Sequence, residues 1–355
     1  MTKNSHAPLA ILKRARASLR TVTPYRFQNL QSQEGRLRLN WNEPPILDSE
    51  NWSRYPAEAV ASIRHHLSTI WNTSEEHILP TRGAEEAIDY IIRAFCEHDD
   101  DVLIPTPSFH AYTRSAKLNG ARPIESAFYS LSAASSTWSS RFLDLKYQFT
   151  DRTKVVFFCN PNNPTGEVID PNALIEFIQF VNDRALIVVD EAYIEFSPLD
   201  SVQRLSQRFS NVVTLRSLSK AWGAAGLRIG GIIGHPDVIR MLSSLSPAMP
   251  FSHPQADAVA VIARHIERMH ERVQAVAEAR TRVLSRLDRL KENGVLEIYL
   301  SGPTNFVLLK PKAMNEAIQT FEEHRIDVRI LNTALRVTIP NKQDLERLIH
   351  CLDAL

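Results

Sequence analysis

Near-continuous aliphatic segments that alternate with helical patterns constrain this fold more than any other feature of the sequence. HILPT (77–81), DVLIP (101–105), KVVFFCN (154–160), ALIVVDEAY (185–193) and NVVTLRS (211–217) read as strands. Between them, GAEEAIDYIIRAFC (83–96), residues 108–119 and PNALIEFIQFVND (171–183) read as helices. Strands without polar alternation are buried on both faces, so the pattern predicts an α/β layer whose mostly parallel sheet is covered by helices on each side. Ligands in such sheets sit beyond the carboxyl ends of the strands.

Three polar groups obey that rule. Asn163 lies in the turn PNNPTG after one strand, Asp190 closes the next, and Ser217 to Lys220 follow the third. A Ser-Lys pair in a loop is ordinarily a solvated surface feature, and Asp190 alone is equally well read as one half of a structural salt bridge. Their convergence on one crevice favours chemistry. The stretch SLSKAWGAAGLRIG (217–230) adds hydroxyls at Ser217 and Ser219 and a cation at Arg228, the donors that a phosphate needs. Five of the chain's eleven glycines fall between Gly223 and Gly234, as a tight turn or a close approach requires. An amine beside an anion site can carry a phosphorylated aldehyde as a Schiff base. Asp190 costs several kcal/mol to bury without a cation, and a pyridinium nitrogen would serve as one. Tyr193 and Asn163 are placed to hydrogen-bond the oxygen of such a ring.

Beyond residue 236 the character changes. Long helical patterns at 236–246 and 254–293 lead to strands at 295–300, 304–310, 327–330 and 334–339, with helices at 312–325 and from Lys342. That is an α+β arrangement, and the expected division is an amino-terminal arm with part of the small domain (1–50), a large domain (51–250) and a small carboxyl-terminal domain (251–355). Residues 9–20 (LAILKRARASLR) read as a short basic amphipathic helix, and Pro56 as the start of another. A formal net charge of +1 over 355 residues gives no reason to expect nucleic acid. Three widely spaced cysteines fit neither a disulfide framework nor a zinc site, so no metal and a reducing compartment are expected. No acid precedes Glu34, a bias shared with transit peptides. Because Tyr25 belongs to the site argument below, the segment is read as an arm and the chain as cytoplasmic, without a membrane span.

The set NNPTG, DEAY and SLSKAWGAAGLRIG, in this order and spacing, resembles the fold-type I pyridoxal-phosphate aminotransferases. Through TPY, RYP, TRGAEEAIDYIIRAFCE, CNPNNPTG, VVDEAYIEF and LRVTIP it is similar, more narrowly, to the histidinol-phosphate aminotransferases, from about residue 9 to the carboxyl end. The resemblance implies that Lys220 forms the Schiff base with pyridoxal 5'-phosphate and later moves the proton. Asp190 would pair with the pyridinium nitrogen, Asn163 and Tyr193 would bind the ring oxygen, and Phe109 would stack on the ring. Ser217, Ser219, Arg228 and the amides of Ala84 and Glu85 would hold the cofactor phosphate. Tyr55 would reach the phosphate in a neighbouring subunit, which implies a homodimer with shared sites. Arg336 would grip the substrate's anionic end, with Arg329 and the partner's arm residue, the one numbered Tyr25 here, as further contacts.

The reaction so implied is ping-pong transamination between histidinol phosphate with 2-oxoglutarate and imidazole-acetol phosphate with glutamate, part of histidine biosynthesis. Two departures bear on the substrate end. The segment from Arg329 to Arg336 is shorter than the family's loop, and Pro340 replaces a glycine after LRVTI. Transamination of another amino acid, or decarboxylation of a phosphorylated one such as threonine phosphate, uses the same cofactor machinery and stands as the alternative.

Overall fold

A computed structural model describes residues 9–22, 41–43, 53–130 and 137–355. In chain order its elements are α1 (Ala59–Trp71), β1 (Ile78–Thr81), α2 (Ala84–Phe95), β2 (Asp101–Thr106), α3 (Ala111–Leu118), β3 (Arg122–Ala127), α4 (Trp138–Gln148), β4 (Thr153–Cys159), α5 (Pro171–Val181), β5 (Leu186–Asp190), α6 (Leu205–Arg208), β6 (Val212–Ser217), β7 (Gly230–Ile233), α7 (Pro236–Leu242), α8 (His253–Arg264), α9 (Glu267–Glu292), β8 (Leu296–Leu300), β9 (Phe306–Pro311), α10 (Met314–Glu323), β10 (Arg329–Leu331), β11 (Ala334–Thr338) and α11 (Lys342–Asp353). The larger sheet has seven strands in the order β1-β7-β6-β5-β4-β2-β3, and β7 runs antiparallel to both neighbours. The smaller sheet has four antiparallel strands in the order β10-β11-β9-β8.

Side chains alternate across the larger sheet with the period of a strand. Val155 and Phe157 of β4, Leu186 and Val188 of β5, and Val213 and Leu215 of β6 face one apolar layer, packed with α2 and α3. Val156 and Phe158, Ile187 and Val189, and Val212 face the other, packed with α4 and α5. The central strands are therefore apolar at successive positions for a geometric reason. The smaller sheet packs against α9, α10 and α11. Helix α9 joins the two bodies: Met269 near its start is buried with the large-sheet elements, and Val283 and Leu287 lie under the smaller sheet.

Several local expectations fail. Residues 9–20 form no α-helix but two 3-10 turns, Ala10–Arg14 and Ala17–Thr21. Ile11, Ala15 and Leu19 are buried by that kinked path, and the Arg16 amide donates to the Ala94 carbonyl at 2.8 Å. Docking on α2, rather than helical propensity, sets the conformation. Helix α1 starts at Ala59, three residues beyond Pro56, whose carbonyl accepts from the Ala59 amide. The pattern from 254 to 293 is broken between α8 and α9 at His265, whose ring meets the Glu267 carboxylate at 3.0 Å; such a local contact leaves no mark on periodicity. Edge strand β3 escaped detection because its sequence, RPIESA, is largely exposed and contains Pro123, which an edge tolerates.

One contact locks the smaller sheet against the larger. Gly166 in the turn after β4 and Gly302 between β8 and β9 meet backbone to backbone. A Cβ on Gly166 would lie 2.8 Å from the Gly302 Cα, and a Cβ on Gly302 would run into the Gly166 carbonyl. Gly166 also has a φ of +75°, in the left-handed region. Gly302→Ala is expected to destabilise the protein by about 3 kcal/mol, because neither backbone can yield to the added methyl. Denaturant unfolding checks this; a variant as stable as the parent would show that the contact gives way freely.

Candidate active site

The carboxyl ends of β4, β5 and β6 open onto a cavity of about 240 Å³. Its lining includes Ala84, Glu85, Phe109, Asn163, Asp190, Tyr193, Ser217, Ser219, Lys220, Arg228 and Arg336. The sequence singled out all of these. Tyr55 is 52% exposed and lies outside this cavity. Arg329 is exposed on β10, paired across the hairpin with Arg336 but not lining the cavity. Tyr25 lies outside the described residues.

Each wall has a local cause. Asp190 ends β5 and is 2% exposed, beside Cys159 at the end of β4. The PNNPTG turn is latched internally: the Asn162 amide side chain donates to Thr165 Oγ1 at 2.8 Å and to the Pro107 carbonyl at 2.9 Å. That leaves the Asn163 side chain for the cavity, where its Oδ1 accepts from Arg336 Nη1 at 2.5 Å. The loop carrying Lys220 is clamped from beneath by Glu195, whose Oε1 accepts from Arg216 Nη2 at 2.8 Å and Trp222 Nε1 at 2.9 Å. The Tyr193 ring packs edge-on against Phe306 of β9, with centroids 5.3 Å apart, and Lys220 Nζ sits 5.6 Å from its centre. Arg336 lies over the Phe306 ring, so the smaller sheet contributes both a cation and its apolar support.

At one end of the cavity, hydroxyls and cationic groups converge. Arg228 adopts a left-handed backbone with φ of 55°, a strained geometry for a non-glycine residue that brings its guanidinium to the start of α2. Gly83 has a φ of +83°, a conformation that favours glycine, and a Cβ there would fall 2.6 Å from Arg228 Nη2 and push the guanidinium aside. No side chain caps α2 at Gly83, which leaves the first amides of the helix facing the same cup. Ser217 and Ser219 complete a donor set suited to a dianion.

Electrostatics separate the two ends. Burial pushes the Asp190 carboxyl up, opposed by a hydrogen bond from Tyr112, the Ala192 amide and the charge of Lys220. Removal from bulk water pulls the Lys220 amine down; Arg336 and Arg228 add to the fall, and Asp190 resists it. The sequence reading missed Tyr112, Phe306 and Cys159. Tyr112 stands in the same PSFHAY segment as Phe109, one helical step on, and that spacing was its only signal.

The donor cup, the buried carboxylate and the amine between them fit pyridoxal phosphate: an anion site at one end, an acid for a ring nitrogen at the other, and a lysine within the same cavity. A model of the aminotransferase class I and II family matches residues 25–352. The chain belongs to the class I and II aminotransferases. It is 32% identical, over 96% of its length and 92% of the relative's, to a histidinol-phosphate aminotransferase of Yersinia enterocolitica. One from Pectobacterium carotovorum is 33% identical, with 96% and 97% covered. The chain spans 43% of a histidine biosynthesis bifunctional protein of Photorhabdus laumondii at 32% identity. Among solved structures, the fold matches histidinol-phosphate aminotransferase from Sinorhizobium meliloti in complex with pyridoxal-5'-phosphate, with TM-score 0.71 and 20% identity, covering 85% and 83% of the two chains. It also matches the L-threonine-O-3-phosphate decarboxylase of Porphyromonas gingivalis, with TM-score 0.68 and 20% identity over 85% and 90%. At these identities the structures speak for the fold alone. Among the described residues no helix is long and apolar enough to cross a membrane.

The charges around Lys220 make a directional prediction. Labelling of its amine by an acylating reagent in cofactor-free protein should show a pH midpoint below the ordinary lysine value of 10.5. Arg336→Gln removes a repelling cation and should raise that midpoint; Asp190→Asn removes an attracting anion and should lower it. Quantitative peptide mapping across pH reads both. Shifts of the opposite sign would contradict the arrangement.

Proposed function

We propose that this chain transfers the amino group of histidinol phosphate to and from 2-oxoglutarate, using pyridoxal phosphate held in the cavity. Its likeness to relatives of that name over 96% of its length supports the choice. The observation that carries it is Arg336, which the smaller sheet holds in the cavity with the residues of the donor cup. A guanidinium there offers a bidentate grip on a carboxylate or phosphate.

The cofactor supplies an aldehyde that condenses with amines and a protonated ring that accepts the electrons released when a substrate C–H bond breaks. Ser217, Ser219, Arg228 and the amides of Ala84 and Glu85 hold its phosphate and fix its position. Asp190 keeps the ring nitrogen protonated, and that positive charge offsets the cost of burying the carboxylate. Asn163 and Tyr193 orient the ring oxygen, and Phe109 covers one face. Lys220 would hold the cofactor through its aldehyde, and its Nζ, once free, would take the proton from the substrate carbon and return it. A depressed pKa suits that base near neutrality. Arg336 binds the anionic end of each substrate in turn, as a ping-pong sequence requires.

Exposed Tyr55 is assigned to the phosphate cup of a second subunit, with Tyr25 of the amino-terminal arm at that subunit's substrate end, and the active form is a homodimer. Arg329, beside Arg336 on the hairpin, is assigned to the outer edge of the substrate site. The three cysteines, all free and buried, suit a reducing cytoplasm.

Titrating the cofactor-loaded protein with histidinol phosphate should convert the absorbance of the aldehyde form to that of the amine form, without release of carbon dioxide. Rapid conversion by another amine with none by histidinol phosphate would move the substrate; carbon dioxide from threonine phosphate would replace transamination by decarboxylation. Arg336→Gln should lower kcat/KM about 100-fold, the size of a lost pair of charge-assisted hydrogen bonds. An unchanged value would remove Arg336 from the substrate site.

A further inference from the structure

Asp190 is held by a residue that the assignments above leave without a role. Tyr112, in the first turn of α3, donates its phenol hydrogen to Asp190 Oδ2 at 2.8 Å. The Ala192 amide donates to Oδ1 at 3.1 Å. Tyr112 is fully buried, and it is fixed in place from two sides. Its ring stacks on Phe157 of β4, with centroids 4.6 Å apart and planes 11° from parallel. Phe109 meets it edge-on at 5.8 Å, with an interplanar angle of 89°. The phenol is thus carried on a rigid aromatic stack running from the sheet to the wall of the cavity.

We propose that Tyr112 is a positioning residue of this site: its phenol fixes the plane of the Asp190 carboxylate, and with it the direction of the lone pairs presented to the ring nitrogen. The proposal rests on the assignment of Asp190 to that nitrogen. The groups facing Asp190 are Tyr112 from α3, Tyr129 beyond β3, Cys159 from β4, Tyr193 beyond β5 and Lys220 beyond β6. Burial pushes the three phenols and the Cys159 thiol well above their ordinary values, so all four stay protonated in neutral solution. Lys220 is the one neighbour among them that carries charge, and Tyr112 the one side chain that donates to the carboxylate. A phenol donating to a carboxylate favours its anionic form, and the anion is the form that retains a pyridinium proton. The same bond offsets part of the cost of burying Asp190.

The test compares wild type, Tyr112→Phe and Asp190→Asn, each reconstituted with pyridoxal phosphate and with its analogue in which carbon replaces the ring nitrogen. Tyr112→Phe keeps the ring stacked on Phe157 and removes only the hydroxyl. The reading is the pH midpoint of the bound cofactor's absorbance, which a positive ring nitrogen holds down. With pyridoxal phosphate, Tyr112→Phe should raise the midpoint by about one unit, the scale of one hydrogen bond to a charged group, and Asp190→Asn should raise it further. With the carbon analogue Tyr112→Phe should share the midpoint of wild type. A Tyr112→Phe midpoint equal to wild type, beside a displaced Asp190→Asn, overturns the role of Tyr112 and leaves that of Asp190. Equal shifts with both cofactors make the effect structural and also overturn it. An Asp190→Asn midpoint that does not move removes the assignment of Asp190 and the proposal together.

Discussion

A carboxylate buried at the end of a central strand is the constraint from which the rest of the site follows. Asp190 sits where β5 leaves the sheet, walled by aliphatic layers on both faces, and an ion in such a place needs a fixed set of partners. Tyr112 and the Ala192 amide give it hydrogen bonds; Lys220 gives it opposite charge. The arrangement leaves the carboxylate opening onto the cavity, able to bind a cation that arrives with a ligand. Parallel strand order does the assembly: because β4, β5 and β6 run the same way, Asn163, Asp190 and Ser217 to Lys220 emerge at one edge.

The donor cup and Asp190 belong to the larger sheet, and the smaller sheet adds Arg336 to the cavity wall. Arg336 reaches across to Asn163, Phe306 packs on Tyr193, and Gly302 meets Gly166. These three contacts fall on residues that carry the turn after β4 and the segment after β5. The two sheets are therefore mechanically joined at the cavity. The shortened segment between Arg329 and Arg336 resolves into a hairpin with two residues, Asn332 and Thr333, between its strands. Arg329 is thereby set directly opposite Arg336, at the outer rim rather than in the cavity.

Much of this was legible in the sequence, and the reasons are physical. Strands buried on both faces are apolar over consecutive positions, so β2, β4, β5 and β6 announce themselves, as does the crevice at their ends. Ser217, Ser219, Lys220 and Arg228 lie close together in the chain, and glycines mark where the backbone turns. What escaped depends on particular side-chain and backbone contacts that leave no periodic trace. The 3-10 path of residues 10–21 is set by docking on α2, the break at His265 by one side-chain contact, and β3 by its place at an edge. Tyr112 escaped for a related reason: nothing in a sequence separates a tyrosine that fills a core from one whose hydroxyl finishes on a buried carboxylate 78 positions along the chain.

The central claim is that one amine, Lys220, is covalently joined to the cofactor in the resting enzyme. Reduction of the cofactor-loaded protein with borohydride, followed by digestion and mass spectrometry, tests it most directly. The account predicts a single phosphopyridoxyl group, on Lys220. The same group found on a different lysine, with Lys220 unmodified, would contradict it.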